Sequence, residues 1–122
     1  MIAPKIILFA PEPAPAESLR RAAEEFGRVV VASKPAMTIY LAAVHEPLVA
    51  IIDLDALRPD GRPGLVATLG QRFQVSIVGL GSADTIQAAD NLALAAALTK
   101  PVNSTELMLA LDRIFAERLN HR

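Results

Sequence analysis

Two hydrophobic periodicities alternate along the chain. Apolar runs at residues 5–10 (KIILFA), 28–32 (RVVVA), 48–52 (LVAII), 75–80 (VSIVGL) and 95–99 (AAALT) have the length of buried strands, though the alanines of the last also suit a helix. Between them lie helical windows. Residues 16–26 carry Leu19, Ala22, Ala23 and Phe26 on one stripe, with Gly27 where a helix C-cap belongs. A second window, 37–44, has Pro35 near its start and Pro47 after its end, and weaker ones cover 65–73 and 82–91. The last opens with a capping-box pair, Asn103 and Glu106, and continues through Leu107, Leu111, Ile114 and Phe115. Pro11, Pro13 and Pro15 close the first strand as breakers. Residues 53–64 read as a structured loop marked by Pro59, Gly61, Pro63 and Gly64, and Gly79 inside the fourth strand predicts close backbone approach.

Five strands, each followed by a helix, require right-handed crossovers and a parallel sheet covered on both faces, an α/β architecture. The unbroken LVAII run agrees, because a strand apolar at every position needs cover on each side. In such sheets the working site lies beyond the carboxyl ends of the strands. That places the candidate residues at 10–12, 53–55, 81–82 and 100–101.

Composition narrows the chemistry. At 122 residues the chain fits one domain, 1–122, with a possible truncated linker or output-domain junction near 119–122. With no cysteine, disulfides, thiolate metal sites and thiol catalysis are excluded together. Only two histidines exist, His45 and His121, so a multi-histidine metal site within one chain is excluded as well. His45 reads as a surface or capping residue, and His121 as part of a terminal tail. A net charge of -1 with scattered basic residues argues against a nucleic-acid surface. The apolar stretch near the amino terminus is about five residues, short of a secretory core, and no run approaches a membrane span. The expectation is a soluble, cytoplasmic protein that is not an enzyme, since no nucleophile–base or paired-carboxylate arrangement is spaced for catalysis.

Asp53 at the end of strand three, Asp60-Gly61 after it, and Lys100-Pro101 at the end of strand five together resemble the receiver domain of two-component response regulators. The resemblance spans the whole chain in length and element order. It implies a CheY-like, flavodoxin-type (βα)5 fold with strand order 2-1-3-4-5. It also implies Asp53 as phosphoacceptor, Lys100 as phosphate-binding lysine, and Asp55 offering a backbone carbonyl to Mg²⁺. A cis Lys100-Pro101 peptide would aim the lysine at the site. Hard oxygen ligands and charge neutralisation are what Mg²⁺-assisted phosphoryl transfer needs.

The departures point to a degenerate form, a pseudo-receiver. The family's acidic pair falls on Ala10 and Pro11, leaving Glu12 as the next acid. Its Ser/Thr position falls on Gly81, with Ser82 one residue late, and its strand-five aromatic falls on Ala97. Its proline four residues past the acceptor is Leu57. Asp53 has three readings: a live phosphoacceptor, a relic paired to Lys100, or a loop acid. Asp60 before Gly61 reads first as turn chemistry. Lys100 is expected close to Asp53, both projecting from adjacent strand ends, with no metal or other cofactor bound. The function expected is a signalling module acting by phosphorylation-independent contact with a histidine kinase or effector. Homodimerisation through the helix 4–strand 5–helix 5 face (83–98 and 104–119) is a further expectation. The alternatives are a working receiver phosphorylated on Asp53 and a small-molecule-binding flavodoxin-like domain.

Overall fold

A computed structural model describes residues 3–120. The apolar runs form β1 (Lys5–Phe9), β2 (Arg28–Ala32), β3 (Val49–Asp53), β4 (Ser76–Gly81) and β5 (Ala96–Thr99). All neighbours pair in parallel in one sheet, ordered β2-β1-β3-β4-β5. The helices are α1 (Pro13–Ala23), α2 (Pro35–His45), α3 (Arg62–Ala67), α4 (Ala83–Ala88) and α5 (Ser104–Asn120).

The twofold alternation of the strands divides the core. Ile7, Phe9, Ala50, Ile52 and Ile77 point to one face, where Leu41 of α2 and Leu65 and Val66 of α3 cover them. Ile6, Leu8, Val49, Ile51, Val78 and Leu80 point to the other, against Leu19 and Ala23 of α1 and Leu107, Leu111 and Ile114 of α5. Every residue of β3 is buried, including Asp53. Burying each Leu or Ile contributes roughly 1.5–3 kcal/mol, so the two layers together fix the strand ends firmly.

Several boundaries differ from the periodicity reading. α1 begins at Pro13, because Pro13 and Pro15 occupy a first turn whose N–H groups have no helical partner anyway. Its C-cap is Glu24, so Gly27 is not the cap. Gly27 is glycine because a Cβ there would lie 2.2 Å from the Pro4 carbonyl oxygen. The 53–64 stretch holds two 3₁₀ turns, Leu54–Ala56 and Pro59–Gly61, and α3 starts inside it at Arg62. α4 stops at Ala88, short of residue 91. Gly79 matches its expectation: a Cβ would stand 2.9 Å from side-chain carbons of both Leu54 and Leu94. Asn103 caps α5 as expected, the Glu106 N–H donating to its Oδ1 at 2.8 Å, but Glu106 Oε1 accepts from the Asn103 side-chain amide at 2.9 Å and not from its backbone N–H. His45 ends α2 beside Lys5, with 3.4 Å between Nζ and Nδ1, whereas His121 lies outside the described residues.

Candidate functional site at the strand ends

The carboxyl ends of β1, β3, β4 and β5 open into a crevice with an ion cluster at its floor. Asp53 closes β3 and is only 5% exposed. Its Oδ1 accepts from the Lys100 ammonium at 2.8 Å and from the Asp55 N–H at 3.1 Å. The expected approach of Lys100 to Asp53 is therefore observed, but not between adjacent strands. β4 separates β3 from β5, and the lysine stem reaches across its end. That end is Gly81, which presents no side chain in the way. The Lys100 N–H donates to the Gly81 carbonyl at 2.8 Å, prolonging the β4–β5 ladder, and the Lys100-Pro101 peptide is cis.

Asp55 does more than its position suggested. Its Oδ2 lies 3.2 Å from the Lys100 ammonium and accepts from the Ser82 N–H at 2.9 Å. Its Oδ1 accepts from the Thr85 hydroxyl at 2.5 Å. Ser82 is the N-cap of α4, its hydroxyl accepting from the Thr85 N–H at 3.3 Å. The Asp55 side chain thus ties the turn after β3 to the start of α4. Arg62 adds a second tie, Nε donating to the Leu54 carbonyl at 2.9 Å.

Thr85 is the residue that sequence reasoning missed. It folds over Gly81 so closely that a Cβ at 81 would meet its Cγ2 at 2.8 Å. The sequence carries no local signal for it, because the contact is made only when α4 packs over the end of β4. The other candidates scatter. Glu12 caps α1 without a side-chain hydrogen bond and stands at the crevice rim, and Pro101 lines its wall. Asp60 is not brought in: the Pro59–Gly61 turn carries it outward, where it is exposed and pairs with Arg58 at 3.5 Å. Among the described residues, no three His, Cys, Asp or Glu side chains gather to hold a metal ion.

The electrostatics follow the contacts. The Thr85 hydroxyl, then Lys100 and the Ser82 amide, hold the Asp55 carboxyl below its ordinary range against the opposing effect of burial. Burial alone would lower the Lys100 ammonium, but its hydrogen bonds to Asp53 and Asp55 outweigh that and raise it. A depressed acid stabilises the fold above its unfolded pKa and loses that contribution as pH falls through the folded value. Asp55→Asn is therefore expected to lower stability by about 1 kcal/mol at neutral pH, roughly 4 °C in Tm. The gap to the parent should be full above about pH 4, the ordinary aspartate value, and narrow below it as pH falls through the lower folded value. Thermal melts across that range check it, and a gap unchanged at pH 2–3 would refute the carboxylate's role.

No protein-family profile matches the chain, and no curated protein does. Solved structures do match over nearly its whole length. The signal receiver domain of an HD domain-containing protein from Pseudomonas fluorescens Pf-5 is similar at TM-score 0.81 and 21% identity, covering 97% of this chain and 98% of that one. The REC domain of AraT, a response regulator from Geobacillus stearothermophilus, gives 0.80 and 20%, with 97% of each chain covered. A signal receiver domain from a putative LuxO repressor protein of Vibrio parahaemolyticus gives 0.76 and 18%, with 99% of each covered. The fold is the receiver fold. Within that fold the cluster of Asp53, Asp55, Lys100 and Thr85 occupies the strand-end crevice.

Proposed function

We propose that this chain is a receiver-fold signalling module that works through protein–protein contact and does not depend on phosphorylation of Asp53. The observation that carries this reading is the state of the crevice. Its resident cation is the Lys100 ammonium, held by both Asp53 and Asp55. The oxygens of Asp55 are committed to Thr85, Ser82 and Lys100. At the positions of the acidic pair stand Ala10 and Pro11, which bring no oxygen ligand from a side chain. Mg²⁺ demands near-octahedral oxygen ligation, and this donor set does not fit it. Of the two hydroxyls after β4, that of Thr85 is donated to Asp55 and that of Ser82 to Thr85, not toward a phosphoryl group on Asp53.

The module is not an enzyme in this reading, and its partners are signalling proteins, a kinase or an effector. Contact through the α4–β5–α5 face, including self-association, remains part of the proposal. Within 83–98 and 104–119 the large exposed apolar side chains are Leu109 and Leu119 of α5, and Leu109 opens toward Phe26 after α1. None lies between 83 and 98, where Leu92, Leu94 and Leu98 are half-buried. No described helix is long and apolar enough to cross a membrane.

The test is incubation with Mg²⁺ and acetyl phosphate, read by intact mass, with beryllofluoride and Mg²⁺ followed by thermal melting. The expected result is no phosphoryl adduct and no Mg²⁺-dependent rise in Tm. An adduct that needs Mg²⁺ and disappears in Asp53→Asn would replace this reading with that of a working receiver. One observation favours that second reading: both described hydrogen bonds to the Asp53 side chain fall on Oδ1, leaving Oδ2 without a described donor.

A further inference from the structure

The crevice is also a chamber. Partly open to solvent, it has a volume of about 510 Å³ between the start of α1 and the end of the sheet. That is within the range of cavities that bury small organic molecules. Its walls are mostly apolar, with Ala10, Leu19 and Leu80 each under a tenth exposed and Val102 beside them. The polar groups are few and carry net negative charge. Glu12 stands at the rim, Asp53 is in the floor, and Asp55 adjoins it, three carboxylates against the single ammonium of Lys100. The floor carboxylate is nine-tenths buried, and its Oδ2 has no described hydrogen-bond donor. That oxygen is open to solvent in the crevice, so a ligand that excludes water from it must supply a donor in its place.

We propose that this chamber binds a small organic ammonium, an apolar body carrying one primary amine. The hydrocarbon lies along Ala10, Leu19, Leu80 and Val102, and the ammonium donates to Asp53 Oδ2 and lies within the field of Glu12. Each alternative occupant meets a specific cost. An anion enters a crevice already two charges negative, since Lys100 is shared between Asp53 and Asp55. A neutral apolar molecule covers Oδ2 without giving it a donor. A divalent metal finds too few oxygens. This inference goes beyond the signalling reading and is tested separately from it, because Mg²⁺-dependent phosphorylation would overturn that reading without bearing on amine selectivity.

The experiment is a ¹⁵N–¹H NMR titration of the full chain with hexylammonium, 1-hexanol and hexanoate, which share one body and differ in head group. Hexylammonium should give saturable shifts at the amides of Ala10, Leu80 and Lys100, at least about tenfold tighter than hexanol, a difference of roughly 1.4 kcal/mol. Hexanoate should leave those amides unmoved. Asp53→Asn should bring the amine and alcohol affinities to within about threefold of each other, or roughly 0.6 kcal/mol. Ala10→Leu, which fills the chamber without touching its charge, should abolish binding of both while far-UV dichroism stays native. Equal affinity for amine and alcohol, preference for hexanoate, or no saturable shift at those amides by 10 mM (about the weakest affinity such a site would show) overturns the proposal. Because the head-group series is run on the unaltered protein, the result does not depend on either variant folding.

Discussion

Gly27→Ala is expected to destabilise the fold by about 2–3 kcal/mol, near 10 °C in Tm for a domain of this size. The added Cβ would sit 2.2 Å from the Pro4 carbonyl oxygen and 3.1 Å from its carbon. The obstacle is backbone, so no rotamer change relieves it. The same oxygen accepts the Arg28 N–H at 2.8 Å, the bond that starts the β1–β2 pairing. Moving Pro4 aside therefore gives up that bond, and β2 is an edge strand with no second neighbour to hold it. Gly27 has no positive φ, so the effect comes from contact and not from conformation. Gly64→Ala is the control: it lies in α3 with nothing within 4 Å of its Cβ position. There alanine should be neutral or stabilise by up to about 1 kcal/mol through helix propensity. Chemical denaturation of the two variants checks both signs, and a Gly27→Ala protein as stable as its parent would refute the steric argument.

Gly27 also marks where sequence patterns stop being informative. A glycine after an amphipathic stripe is most often a helix cap, and the contact that actually requires it comes from Pro4, twenty-three residues away. The same limit applies to Pro13 and Pro15. Their lack of an N–H makes them breakers inside a helix and good starters at its first turn, and only the register of α1 decides between those roles. What was legible was what depends on periodicity: five apolar runs, two covered faces, the strand-end positions of Asp53 and Lys100, and the Asn103–Glu106 cap. Strand order came with the family resemblance, and so did the pairing of Asp53 with Lys100. Adjacent strand ends do not explain that pairing, because β4 lies between β3 and β5 and the bare Gly81 end lets the lysine pass. Thr85 was not legible. Its hydroxyl reaches Asp55 across thirty residues because α4 folds back over Gly81, a tertiary placement without a local signature.

Lys100→Met should cost about 2 kcal/mol at neutral pH. The Lys100 ammonium lies 2.8 Å from Asp53 Oδ1 and 3.2 Å from Asp55 Oδ2, so its one charge is shared between two carboxylates. Methionine keeps most of the stem that crosses Gly81 while removing the charge, which leaves the acids to repel each other beside a buried β3 end. Breaking a fully buried pair costs about 3–5 kcal/mol, and the lower figure here follows because a third of the lysine side chain is exposed to water. The ammonium is raised in the fold, so its stabilisation is complete below the ordinary lysine pKa and is lost as pH rises through the higher folded value. The gap between parent and variant should accordingly be full at neutral pH and narrow only in strongly alkaline solution. Added salt should shrink it little, since partly buried pairs are screened less than exposed ones. Combining Lys100→Met with Asp53→Asn removes one of the two stranded charges. The double variant should then be about 1–2 kcal/mol more stable than the sum of the single changes predicts. Additive losses would mean that the observed contact contributes no coupling energy, and the crevice would no longer be closed by its own cation.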